Sequence, residues 1–174
     1  MTPRIPRLVP LLALSTFFWA HAALAHPGHS IPIDELTRNS ATVVEATVTG
    51  LASAWNDSHT EILTTVDLRR NALYKGAAPE NLRLVLLGGT VGDMTLAVLG
   101  QVAFSANERV MLFLGPQWDM SSAPVYGGEH GKFTVTHDTV TNRDFLVNEG
   151  ATVLKTDALS AVRRTNAARP ATDR

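Results

Sequence analysis

Period-two alternation is the feature that most restricts what this chain can fold into. In 41–50, Val44, Ala46 and Val48 alternate with Val43, Glu45, Thr47 and Thr49. In 61–74, Ile62, Thr64, Val66 and Leu68 share one side. Successive side chains of a strand point to opposite faces, and β-branched residues suit that pleated surface. The stretch between them, Ala54 to Thr60, is polar and turn-rich. The pattern predicts a long antiparallel hairpin.

More strand signals follow at short spacing. Leu82–Leu87 carries Arg83 on its wet face, and Met94–Leu99 is closed by Gly100. Arg109–Leu114 is strongly apolar and is stopped by Gly115 and Pro116. Lys132–His137 places Phe133 and Val135 on one face, and Asp144–Val147 and Thr152–Leu154 are shorter candidates. Gly88-Gly89-Thr90-Val91-Gly92 and Gly127-Gly128-Glu129-His130-Gly131 read as glycine-rich turns. The first lacks the following helix and lysine of a phosphate cradle. Near the end the period changes: Thr156 or Asp157 caps a helix in which Leu159 and Val162 share a face. Ile33–Asn39 is a short helix or turn, with Asp34 and Glu35 suiting a helix start. The expectation is a mainly β domain over 40–168: a small antiparallel barrel, a short N-terminal helix or turn, and one C-terminal helix. Curling a sheet toward closure hides its edges.

Residues 1–25 read as a secretory signal peptide. Arg4 and Arg7 precede an apolar run from Leu8 to Ala20, and Ala23-Leu24-Ala25 is a small-x-small cleavage site. The run is too short to span a bilayer. Residues 26–39 form an irregular leader around that short helix or turn, and 169–174 a disordered tail. Export to the periplasm or beyond is expected. There is no cysteine, so zinc–thiolate sites, thiol nucleophiles and disulfides are excluded. A net charge of -1 offers no field for nucleic acid.

Candidate sites are few. Cleavage after Ala25 would give His26 a free amine beside its imidazole, with His29 three residues on. That donor set suits copper(II) or nickel(II), with His59, His130 or His137 as a third imidazole. Cleavage after Ala22 removes that arrangement, and a solvated leader is the competing reading. Glu129, His130 and His137, with Asp119, Ser121 and Ser122 in a nearby loop, lack a catalytic motif and read equally as polar turn residues. Trp55, Trp118 and Tyr126 are loop-edge aromatics suited to ligand contact or to capping the barrel ends, as is Phe104.

The order Val44-x-Ala-x-Val48-x-Gly50, Leu73-Tyr74-Lys75-Gly76, Gly88-Gly89, Glu108-Arg109-Val110-Met111-Leu112-Phe113-Leu114 and Gly131-Lys132-Phe133-x-Val135 resembles a loose group of bacterial exported domains. These have an OB-like or netrin-like barrel and a C-terminal helix. The resemblance covers about residues 40 to 165, and its motifs are structural. Among netrin-like proteins, the tissue inhibitors of metalloproteinases act through an N-terminal cysteine on zinc, which this chain lacks. With no catalytic motif, the expected function is a non-enzymatic binding module without a cofactor that binds an exported protein; the resemblance suggests an exported protease as that partner. The alternative is a periplasmic copper-binding protein using His26 and His29.

Overall fold

The computed structural model describes residues 30–148 and 151–168. The signal peptide expected over 1–25, the candidate ligands His26 and His29, and the tail expected over 169–174 lie outside the described residues.

The chain is mainly β. Helix α1 (Ile33–Asn39) leads into β1 (Thr42–Trp55) and β2 (Ile62–Lys75), the predicted hairpin. Then come β3 (Asn81–Leu87), β4 (Gly89–Val91), β5 (Met94–Leu96) and β6 (Arg109–Leu114). A 3-10 turn at Gly128–Gly131 precedes β7 (Lys132–Asp138), β8 (Arg143–Asn148), β9 (Ala151–Leu154) and α2 (Lys155–Ala167). Seven strands form one antiparallel sheet in the order β3-β2-β1-β6-β7-β8-β9, and β4-β5 is a separate ribbon. No helix among the described residues is long and apolar enough to cross a membrane.

The sheet curls. β3 and β6 are separated by two strands, yet one short segment touches both. Val125 bridges to Leu114 of β6, and the Leu87 amide at the end of β3 donates to Ser122 O at 3.3 Å. Strand β1 bends to allow this, with a register shift between Val48 and Gly50. Beyond the bulge, β1 pairs with β2 alone, while β6 pairs with Thr42–Thr47. Such bulges sharpen twist and bend a strand.

Two cores result. The concave side of β1, β2, β3 and β6 encloses Val44, Val66, Leu84, Leu112 and Val102. On the other side, α1 and α2 cover Val43, Met111, Phe113, Phe133 and Leu146 with Leu36, Ala158 and Val162. The centre of the sheet is therefore buried on both faces. This explains why Val110–Leu114 is an unbroken apolar run: each residue enters one core or the other.

Several sequence expectations are corrected. The 88–92 stretch is not simply a turn: Gly89–Val91 pairs with Met94–Leu96, leaving Gly92-Asp93 as the turn. Gly89 has φ 134°, and a Cβ there would lie 2.3 Å from Thr64 Oγ1, so only glycine fits so close to the hairpin. The predicted strand through Leu99 ends at Leu96 because the chain then folds back across the mouth of the concave core. Helix α2 starts at Lys155, with Leu154 at its N-cap and no capping side chain. Thr156 and Asp157 fall inside its first turn, because β9 runs directly into the helix and Lys155 is drawn to a buried carboxylate.

Candidate functional site

The most concentrated polar chemistry surrounds Glu45. The alternation suggests a wet position, but its side chain is only 1% exposed, beneath the start of α2. Its carboxylate accepts from Arg109 Nε at 2.7 Å, Tyr74 Oη at 2.9 Å and Lys155 Nζ at 2.8 Å. Asp144 of β8 receives Arg109 Nη2 at 3.1 Å and lies 3.4 Å from Lys155 Nζ. His137 Nδ1 is 2.8 Å from Asp144 Oδ1. Two carboxylates thus face two cations, and the cluster ties β1, β2, β6, β7 and β8 to α2.

The protonation states follow. Burial pushes the Glu45 carboxyl up, but hydrogen bonds from Lys155, Tyr74 and Arg109 outweigh it, leaving it below its ordinary 4.5. The hydrogen bond with His137, aided by Arg109 and Lys155, holds Asp144 below 3.8. Burial and donation to Glu45 raise the Tyr74 phenol well above 10.0. Just before β6, burial raises Glu108, but Lys132 at 2.6 Å and Thr134 at 2.5 Å carry it below 4.5. These partners give the cluster a structural role, since each displaced carboxylate is matched to cations that join separate strands.

A pH dependence follows from these carboxyls. They release protons more readily in the folded chain, so acid is taken up preferentially by the unfolded chain. Their contribution is complete above about pH 5 and drains as pH falls through the depressed folded values. Urea midpoints should therefore fall between neutral pH and about pH 3. An unchanged midpoint would show that the ion pairs do not stabilise the fold.

The sequence-derived candidates are dispersed. Trp55 sits at the far end of β1, half-buried, its ring stacked on His59 at 6.4 Å and 18°. Asn56 Oδ1 accepts from the Thr60 and Glu61 amides at 2.9 and 3.2 Å, and the Asn56 amide donates to Glu61 O. The hairpin tip is thus a tightly bonded turn. Trp118 packs partly buried against the concave core, in the loop whose Ser122 meets Leu87. Leu87 pairs with Leu63, and Leu63 pairs with Ala54 beside Trp55, so both indoles belong to one end of the sheet. Tyr126 packs against the helix-covered core, its hydroxyl accepting from Asn39 Nδ2 at 3.0 Å. Phe104 lies against the concave core with Lys132 Nζ 5.1 Å from its ring centre.

No family model, curated protein or solved structure matches this chain.

The described histidines do not converge. His59 is at the hairpin tip, His130 in the 3-10 turn and His137 on β7. Among the described residues, no three His, Asp or Glu side chains form a metal-binding group. Ser121 Oγ accepts from the Ala123 amide, which makes it a turn residue. The period-two pattern did not identify Glu45 as buried, because its cations and phenol come from distant segments. The signal available in sequence was a glutamate in an otherwise apolar stretch.

Proposed function

We propose that this chain is an exported, non-enzymatic accessory module that binds a partner protein in the periplasm or outside the cell. Contact would be through the end of the sheet that carries Trp55. Its fold is read as an OB-like or netrin-like barrel, a reading supported by the curl of β3-β2-β1-β6. The carrying observation is the hairpin tip, a hydrogen-bonded turn that displays Trp55 stacked on His59. A rigid aromatic anchor loses little entropy on binding. Exposed Met120 and Leu99 belong to loops that adjoin the same end of the sheet. Exposed apolar side chains in these loops, beside the half-buried Trp55, would add apolar contact area for a partner. An exported protease is the partner class that the resemblance suggests.

The test is co-purification of the tagged full chain from the exported fraction of its native host. One exported protein should be retained, and Trp55→Ala with Met120→Ser should weaken its retention by about tenfold or more. Both residues sit at the margin, so chemical-denaturation stability should change by less than about 1 kcal/mol. Equal retention by the double variant, or no retained protein, overturns the reading.

A further inference from the structure

At the same end, the hairpin arm and the chain segment after β5 enclose a pocket of about 420 Å³. This lies within the roughly 300–1,000 Å³ span of small-molecule sites. Its walls are apolar, with Val66, Leu86, Leu96, Val102 and Phe104 among them, and no charged side chain lines it. Its polar groups have a definite hydrogen-bond sense. Thr64 Oγ1 donates to Gly88 O at 2.7 Å, and a carbonyl can only accept. Thr64 has therefore used its proton, so the 2.8 Å contact between Ser53 Oγ and Thr64 Oγ1 is a donation from Ser53. Ser53 is left with lone pairs alone. Gln101 Nε2 is 3.3 Å from Leu87 O and 3.2 Å from Ser122 O, so both amide protons are committed. Gln101 Oε1 receives no hydrogen bond from the described residues. The side-chain polar lining is thus acceptor-only.

We infer that this pocket binds a neutral small molecule with an apolar body and one hydrogen-bond donor, such as an aliphatic alcohol. A carboxylate is rejected because it brings only acceptors and a charge into a pocket with no cation. An ether of the same length fills the space but cannot donate to Ser53 or Gln101. The inference is independent of the partner reading, since it concerns the interior of the curl and not the aromatic tip.

The experiment uses the purified chain with 1-octanol, octanoate and the methyl ether of 1-octanol, read by saturation-transfer NMR competition at neutral pH. Octanol should bind at least about tenfold more tightly than octanoate and about three- to tenfold more tightly than the ether. Ser53→Ala should bring octanol close to the ether, while Ala97→Trp, at the exposed wall, should weaken all three probes. Trp55→Ala should leave octanol binding unchanged, which separates this site from the partner surface. Octanoate or ether binding as tightly as octanol overturns the inference. So does octanol binding unaltered by Ala97→Trp, or no binding of any probe.

Discussion

Phe113→Ala is expected to destabilise the protein by about 3–5 kcal/mol, because a fully buried ring is lost and the surroundings relax only partly. Phe113 is 0% exposed. Its ring meets Phe133 edge-on, 6.0 Å between centroids at 66°. Such a pair adds to the area term. Leu36, Ala158 and Val162 close over the same core from two helices, which are fixed at the backbone and cannot easily fill a void the size of a benzyl group. A fall in melting temperature of about 10 °C corresponds to that loss. Calorimetry with urea denaturation at matched pH measures it. A cost under about 1 kcal/mol would mean that α1 and α2 are not held against β6 as described.

The second large effect is at Glu45. Glu45→Ala should cost about 3–5 kcal/mol, since removing one partner strands the others. Lys155 Nζ and Tyr74 Oη would each lose an acceptor, and Arg109 would keep only Asp144. Glu45→Gln should recover part of the loss by restoring an acceptor for Tyr74. The double variant Glu45→Leu with Lys155→Met should be less destabilised than the summed single changes, because a charge and its counter-charge leave together. Simple additivity in that cycle would contradict a direct Glu45–Lys155 contact. The variant should also flatten the acid dependence, since its carboxylate supplies part of the proton uptake.

The strands of this chain were legible because their residues carry the signal locally. Val44, Ala46 and Val48 alternate, Arg109–Leu114 is apolar throughout, and Leu159 and Val162 share a helical face. The curl was less legible. It goes with register shifts along β1, including the one between Val48 and Gly50, which alternation alone does not reveal. β4 was hidden for a different reason: glycine favours turns in isolation, while here Gly89, at positive φ, pairs with Leu96 and lies close against Ser53 and Thr64. Glu45 shows the limit of periodicity. A strand pattern separates two faces but does not reveal that helix α2 will cover the second one. The ligand pocket was equally hidden, because Ser53, Thr64 and Gln101 meet only after the segment following β5 folds back.

β1 and β6 supply side chains to both cores at once, Val43 and Val44 from one, Phe113 and Leu112 from the other. Neither core has a private central wall. Cutting the gene into fragments between β3 and β6 would therefore yield two insoluble peptides instead of two half-proteins. Evolution can remodel the outer loops piecemeal, but it must inherit this double-sided centre whole.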